Sequence, residues 1–406
     1  MNRLLAALLA LGLPAFAIAA QAPPARPPIA SKAELDRYLH DTPPGRSPLD
    51  ALSPGGRKRF LAGLKFGERG LRGASLDDPG SELTHPQMVA LYALFGLEAY
   101  AGKDDGLTPA RQAQLHAERV AAARQRGCAP ARCPESAIER GYDTFVTSGQ
   151  GASLSDAQMD AQVQRAYDQA FGAYRTAAQL RQVDAPDLRL LHRATGTVTK
   201  QVRSAADFDQ SRRVLAEMQR RGMADDKDYA DLYDALVADR QFNAAAALRH
   251  AHPKMDTVPL PAYVPAGTLP AGQPTALGID ARAHTMRREP VDLDGPLRIV
   301  VIAGCHFSED AARAIEGDAQ LRPLFARHST WLSNASSDLA AVPAWNRQFA
   351  DLPMRVAWDE REWPMLDSWA MPTYYVFRNG RLAKKFSGWE GVDSLKRSLR
   401  EAGALP

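Results

Sequence analysis

Cysteine is scarce in this sequence, with three among 406 residues, and long apolar runs are missing after the first twenty residues. A helix needs about 20 consecutive apolar residues to cross a bilayer, so we expect no membrane-spanning segment once that N-terminal stretch is removed. Charge of one sign is missing too, because 50 basic and 47 acidic residues are well mixed along the chain. The mixing leaves no block of basic residues, which a protein that binds nucleic acid usually has, so we do not expect nucleic-acid binding.

The first twenty residues have the pattern of an export signal. Arg3 supplies a short positive region, residues 4–13 are apolar, and Ala17-Ile18-Ala19 matches a small-residue cleavage site. We therefore predict that residues 1–20 are a signal peptide and that the mature protein is periplasmic or secreted, in an oxidising compartment. The alternative is that this stretch remains as an uncleaved N-terminal anchor.

The length of the chain allows two or three domains with hydrophobic cores of their own. Residues 21–46 begin with a proline-rich stretch and are expected to form a flexible leader. We predict a helical domain over 47–254 and a proline- and glycine-rich linker over 255–282. Strand and helix patterns then alternate over 283–406. The predicted fold class is multidomain, with an all-α N-terminal domain followed by an α/β C-terminal domain.

Apolar residues recur at spacings of three and four throughout the predicted helical domain. One pair of segments, Tyr229–Ala238 and Asn243–Leu248, resembles a single hairpin of a tetratricopeptide-like helical array. The tryptophan- and glycine-containing signature of such repeats is missing, as is a clear period of about 34 residues. The domain is therefore predicted to be either a helical bundle or a set of degenerate tetratricopeptide-like hairpins.

Cys128 and Cys133 are separated by four intervening residues in a turn-rich link between two helical patterns. We interpret them as a short structural disulfide, which would stabilise the protein by about 2 kcal/mol. A redox or metal-binding pair is the alternative. The spacing differs from that of a redox Cys-x-x-Cys pair, and no second cysteine pair or histidine pair supplies the remaining ligands of a zinc site. We predict no metal and no cofactor.

Pairing these two cysteines leaves Cys305 alone, and in an exported protein a lone cysteine is either a reactive thiol or an intermolecular partner. Cys305 follows a buried apolar strand, Ile299–Ile302, and precedes an alanine-rich helical pattern. The unpaired N–H groups and positive dipole end of a helix N-terminus stabilise a thiolate. Cys305 is therefore the candidate nucleophile. His306, when cationic, adds to this effect, and Ser308 can donate a hydrogen bond to the thiolate.

The segment Met371–Trp389 contains two strand patterns around Asn379-Gly380, a strong β-hairpin signal. With the preceding apolar strand, Cys-x-x-Ser and helix, the last roughly 115 residues resemble the thioredoxin fold family. The resemblance implies a cis Met371-Pro372 bond beside Cys305, where the backbone of Met371 pairs with an extended client peptide. Trp369 is placed to line an apolar client groove, with packing in the core as the alternative.

Three departures from that family restrict the chemistry. Ser308 replaces the second cysteine, so Cys305 cannot form an internal disulfide. Gly304 replaces the tryptophan that usually precedes the cysteine, and Ile299 stands where many members carry a buried carboxylate. We therefore expect monothiol exchange, isomerisation or capture of a protein client that carries a disulfide or free thiol. The alternative is a non-catalytic periplasmic binding or assembly protein with a redox-inactive scaffold.

Overall fold

The computed structural model describes residues 28–67, 70–98, 101–102, 106–148, 156–335, 339 and 341–406. The chain divides into two compact units, with the boundary between Cys133 and Pro134. The predicted signal peptide, residues 1–20, lies outside the described residues. Within the described ranges, no helix combines the length and the apolar character needed to cross a membrane.

In the first unit, the described residues form five helices and one antiparallel hairpin. These are α1 (Lys32–Asp41), α2 (Pro54–Gly63), β1 (Lys65–Gly67), β2 (Gly70–Gly73), α3 (Asp77–Glu82), α4 (His85–Ala93) and α5 (Pro109–Gln125). Three of the helices begin where a hydroxyl accepts a backbone N–H of the first turn, from Ser31 in α1, Ser53 in α2 and Thr108 in α5. The short side chains at these positions therefore set the helix starts.

Helix α1 falls inside residues 21–46, which were expected to form a flexible leader. Leu35 and Tyr38 of this helix are buried in the same cluster as Leu49, Phe60 and Leu91. The stretch from Lys32 onward is therefore part of the core of the first unit. The apolar residues of α1 bring this stretch into the core, whereas the prolines that suggested a flexible leader lie mainly before it.

The second unit begins with a helical region. Its helices are α6 (Ala137–Thr147), α7 (Asp156–Phe171), α8 (Ala177–Leu180), α9 (Ala185–Gln201), α10 (Ala205–Arg220), α11 (Asp226–Ala238) and α12 (Phe242–Ala251). Phe145 packs edge-on against Tyr167 and Phe171, with ring centroids 5.8 Å apart in both pairs. These aromatic rings join α6 and α7, and they share a core cluster with Leu188 and Leu191 of α9.

A mixed α/β region follows in the same unit. Its strands are β3 (Ala262–Val264), β4 (Thr275–Asp280), β5 (Thr285–Pro290), β6 (Arg298–Ile302), β7 (Ser329–Ser333), β8 (Met354–Ala357), β9 (Thr373–Arg378) and β10 (Arg381–Ser387). Its helices are α13 (His306–Gly317), α14 (Leu321–His328), α15 (Ala341–Gln348) and α16 (Val392–Glu401). The eight described strands form one sheet in the order β10-β9-β6-β7-β8-β4-β5-β3. Strands β6, β7 and β8 run parallel, and β9 runs antiparallel to β6.

The two faces of this sheet are covered differently. On one face, Ile299 and Val301 of β6 share a core cluster with Ala312 and Ile315 of α13 and with residues of α14, α15 and α16. On the other face, Val300 and Ile302 pack in a cluster with residues of the segment before β9, which include Trp363 and Leu366. This alternation explains why β6 is apolar at every buried position, since both sides of the strand are covered.

The predicted linker over 255–282 differs from the structure. Strands β3 and β4 lie within it, and β4 pairs with both β5 and β8. Leu277 is fully buried on the helical face and Ala276 on the opposite face. Proline and glycine are abundant in this segment, but its hydrogen-bond partners are distant in sequence, so local composition did not reveal the strands. The sheet therefore begins before residue 283.

The predicted hairpin after Pro372 is present. β9 and β10 pair in an antiparallel register with Arg378 opposite Arg381. Asn379 and Gly380 have φ of 48° and 76°. Both turn residues therefore adopt the left-handed backbone that an Asn-Gly hairpin turn requires.

We expect that removing the disulfide of the first unit lowers its stability. The bond joins Cys128 and Cys133, whose Cα atoms are 5.2 Å apart. Replacing both residues by alanine should reduce the free energy of unfolding by about 2 kcal/mol, because the unfolded chain gains freedom. Urea unfolding measures this change. A reductant should destabilise the natural protein equally and leave the double variant unaffected, and an effect of reductant on the variant would contradict this account.

Arg240 generates a second stability prediction. Its guanidinium, at the turn between α11 and α12, donates to the backbone oxygens of Ala357 and Trp358 at the end of β8, and burial lowers its pKa to about 10. Arg240→Met should lower the free energy of unfolding, measured in urea, by about 2–4 kcal/mol, because two part-buried backbone carbonyls lose a charged donor. Arg313→Met is the control, since that side chain is more than half exposed. Equal effects of the two variants would contradict this role.

Candidate functional site

The site begins at the glycine that ends the central strand. Gly304 has φ of +149°, and a Cβ placed there would lie 3.1 Å from Sδ of Met371. Both the backbone conformation and the close contact favour glycine at this position. Gly304 thus lets the loop before β9 approach the start of α13, where the sequence placed Cys305.

Cys305 is the N-cap residue of α13. Its backbone oxygen accepts hydrogen bonds from the N–H groups of Ser308, at 2.9 Å, and Glu309, at 3.2 Å. The thiol itself makes no capping hydrogen bond, and the residue is half-buried. Its sulfur is therefore held at the helix N-terminus while part of the residue faces solvent, as expected for a reactive thiol.

Two polar atoms lie close to this sulfur. Sγ of Cys305 is 3.4 Å from Oγ of Ser308 and 3.6 Å from the backbone oxygen of Met371. Ser308 is fully buried, and its hydroxyl also accepts a weak hydrogen bond from the N–H of Gly304 at 3.4 Å. A hydroxyl both accepts and donates, so Ser308 can take this N–H and still donate to an ionised sulfur.

The loop that carries Met371 is fixed at its C-terminal end. The Met371-Pro372 peptide bond is cis, and the backbone oxygen of Pro372 accepts the N–H of Gly388 at 2.8 Å. The hydroxyls of Thr373 and Ser387 are 2.9 Å apart in the same part of the hairpin. These contacts hold the Met371 carbonyl beside Cys305.

The other predicted site residues are placed differently. The His306 ring is exposed and lies against the Phe307 ring, with centroids 3.8 Å apart. In the described part of the chain, no hydrogen bond or ion pair joins His306 to Cys305. Trp369 is half-buried and packs against the cluster on the opposite face of the sheet from α13. The structure thus brings Cys305, Ser308, Met371 and Pro372 together, whereas His306 turns towards solvent.

Two residues that sequence reasoning did not select belong to this end of the sheet. Phe307 follows the cysteine by two positions and is 50 % exposed, which is unusual for a phenylalanine. Tyr374 is buried on the same face as α13, and its hydroxyl has no hydrogen-bond partner among the described residues. The available signal was a tyrosine two positions after the proline, in a strand that is buried from Thr373 to Phe377.

A hydrogen bond and an ion pair hold the segment that contains Trp369 to the face of the sheet opposite α13. The Tyr375 hydroxyl bonds to Asp367 at 2.9 Å, and Lys385 pairs with the same carboxylate at 2.8 Å. The hydrogen bonds from Lys385 and Tyr375 lower the pKa of Asp367. This carboxylate is therefore ionised at neutral pH, which keeps the ion pair in place below the loop that carries Met371.

A separate groove lies between the helical and α/β regions of the second unit. It encloses about 1,120 Å³ and is lined by α9, α11, α15 and the segment 256–261. Charged side chains at its wall include Lys200, Asp256 and Arg347, next to apolar atoms of Leu260 and Leu339. Cys305 does not line it, so this groove and the cysteine site are distinct.

The disulfide between Cys128 and Cys133 is formed in the structure. Across the described ranges, no group of three or more His, Cys, Asp or Glu side chains is arranged to hold a metal ion.

No protein-family model, curated protein or solved structure matches this chain. The function must therefore be inferred from the chemistry of Cys305 and its neighbours.

The closeness of Cys305 and Ser308 generates a direct test of the geometry. In Ser308→Cys the new sulfur would start near 3.4 Å from Sγ of Cys305, so a small shift completes a disulfide. We expect mild oxidation to remove both free thiols, as measured by thiol counting and by mass. In the control Phe307→Cys both thiols should persist, because residues two apart on a helix do not face each other. A Ser308→Cys protein that keeps both thiols would show that these side chains are not neighbours.

Proposed function

We propose that the α/β region is a thioredoxin-like module that performs monothiol exchange or isomerisation on a protein client through Cys305. The observation that carries this proposal is the sulfur of the half-buried Cys305 at the start of α13, 3.4 Å from the Ser308 hydroxyl and 3.6 Å from the Met371 carbonyl. Additional support comes from the order of β9, β6 and β7 around the cysteine and from the cis Met371-Pro372 bond beside it. The predicted export of the chain to an oxidising compartment belongs to the same proposal.

The reaction begins with attack on a client disulfide. The Cys305 thiolate bonds to one client sulfur, the client S–S bond breaks, and the second client sulfur leaves as a thiolate. This step conserves electrons, since one disulfide replaces another. The positive end of α13 and the Ser308 hydroxyl favour the attacking thiolate over the thiol.

Release follows from a second exchange. Ser308 cannot attack the mixed disulfide, so a client thiolate attacks the sulfur that is bound to Cys305. A new client disulfide forms and the Cys305 thiolate leaves. The net result is isomerisation of the client without oxidation or reduction. If no client thiol is within reach, the mixed disulfide persists as a captured client.

Met371 supplies the surface on which an extended client peptide would lie. In the free protein its carbonyl lies 3.6 Å from the Cys305 sulfur and can accept the thiol proton. Once the sulfur is ionised, this carbonyl loses its donor and becomes available to an N–H of the client backbone. The apolar side chains of Phe307, Trp369 and Met371 favour clients with apolar residues around the cysteine.

The test is to trap the mixed disulfide. A client with scrambled disulfides is mixed with the protein, quenched with acid and analysed by mass spectrometry, while recovery of the native client is followed in parallel. We expect an adduct at Cys305 and faster recovery than with Cys305→Ala, which serves as the matched control. Absence of an adduct together with equal recovery rates would contradict the exchange function.

The groove between the helical and α/β regions favours a second candidate function, a non-catalytic binding or assembly protein. Its mixture of charged and apolar walls is typical of a surface that holds another molecule in a fixed orientation. In this case the cysteine site is a structural relic, and the exchange experiment would detect no Cys305 adduct. The two candidates therefore differ in the outcome of one measurement.

A further inference from the structure

The side chain of Tyr374 is held firmly inside the α/β region. It is 1 % exposed, and its ring stacks on Phe386 with centroids 4.9 Å apart and planes 13° apart. Phe325 of α14 contacts the Tyr374 ring edge-on, with centroids 6.4 Å apart. The backbone of Tyr374 pairs with that of Val301 in the central strand. The ring position is therefore fixed by aromatic and sheet contacts, without help from its hydroxyl.

That hydroxyl is the unusual part of the residue. It is buried and has no hydrogen-bond partner among the described residues. A buried donor without an acceptor costs about 1–3 kcal/mol, so such groups usually serve a purpose or bind an additional atom. The neighbouring Tyr375 shows the ordinary arrangement, since its hydroxyl bonds to Asp367 and to the backbone of Ser368.

Two neighbours along the chain connect Tyr374 to the cysteine site. It lies three residues after Met371, whose carbonyl is 3.6 Å from the Cys305 sulfur, and it pairs with Val301 of the strand that leads to Cys305. Its ring lies on the face of the sheet that α13 covers. Burial raises the pKa of Tyr374, and a negative charge on Cys305 raises it further. The phenol therefore remains protonated at neutral pH, and it can act only as a donor towards an ionised sulfur.

We propose that Tyr374 is an internal hydrogen-bond donor that stabilises the Cys305 thiolate through one bridging water molecule. This inference rests on the proposed exchange function and adds a residue to it. Tyr374, through the water, and Ser308 would then supply two donors to the sulfur, one from the strand and one from the helix. A donor fixed in a buried site stabilises an anion more than the same donor in water does.

Other titratable and polar groups surround the Cys305 sulfur besides Tyr374. On its own helix, Cys305 is followed by exposed His306 and by Glu309 in the first turn. The loop before β9 presents the Met371 carbonyl, which is uncharged. From β9 the titratable group is Tyr374, and its aromatic neighbours on α14 and β10 are phenylalanines. Solvent screens the charges of the exposed His306 and Glu309. A change at the buried Tyr374 should therefore affect the Cys305 thiolate more than either of them does.

The experiment compares Tyr374→Phe with Tyr263→Phe. The rate of alkylation of Cys305 is measured across pH in each folded protein, and the midpoint of the profile reports the thiolate. We expect Tyr374→Phe to move this midpoint up by about 0.5–1 pH unit, which is roughly a three- to tenfold loss of thiolate at lower pH. Tyr263→Phe removes the same oxygen from β3, the strand at the far edge of the sheet, and its midpoint should stay unchanged. A Tyr374→Phe midpoint equal to that of the natural protein would overturn the proposal.

A second substitution keeps the shape of the ring and protects the test against a folding defect. Replacing Tyr374 by 3-fluorotyrosine makes the phenol more acidic and hence a stronger donor. The alkylation midpoint should then fall, and an unchanged or higher midpoint would overturn the proposal. Mixed-disulfide formation by the same proteins separates the two hypotheses. If Cys305 still forms the adduct but its alkylation midpoint is the same in Tyr374→Phe as in the natural protein, the exchange function is supported and the role of Tyr374 is contradicted.

Discussion

The close approach of the Met371 loop to the end of β6 is the constraint on which the candidate site depends. Gly304 makes this approach possible, because a side chain there would meet the Met371 sulfur. With the loop in place, the carbonyl of Met371 lies beside a thiol at the start of α13. A residue with a side chain at Gly304 would adopt a strained backbone and would have to displace the Met371 side chain next to Cys305.

The sheet fixes the position of the Met371 loop relative to the start of α13. β6 is buried on both faces and lies between β7 and β9, so neither end of the strand can shift without disturbing two ladders of hydrogen bonds. The helices fix one face and the segment that contains Trp363 and Leu366 fixes the other. Because Tyr374 and Tyr375 alternate along β9, one phenol belongs to the cysteine side and the other to the Asp367 side. Through Tyr375, this strand anchors the loop before it.

Sequence reasoning performed best where the signal was local. The run Ile299–Ile302, the cysteine at the following helix start and the Asn379-Gly380 turn all identify their elements through neighbours in the chain. It failed for β3 and β4, whose partners lie far away and whose segment is rich in proline and glycine. It also predicted that His306 stabilises the Cys305 thiolate, because His306 is the next residue in the chain. In the structure the His306 ring lies against Phe307. The role of Tyr374 depends on the pairing of β9 with β6, which no local pattern reveals.

The most direct measurement is the reaction rate of Cys305 with a small alkylating reagent at neutral pH, in the native and in the urea-unfolded protein. The account predicts a faster reaction in the native state, by about three- to tenfold, because the helix start and the Ser308 hydroxyl favour the thiolate. The unfolded chain supplies an internal reference with the same residues nearby in sequence. A native rate equal to or below the unfolded rate would contradict the claim that the fold activates this sulfur.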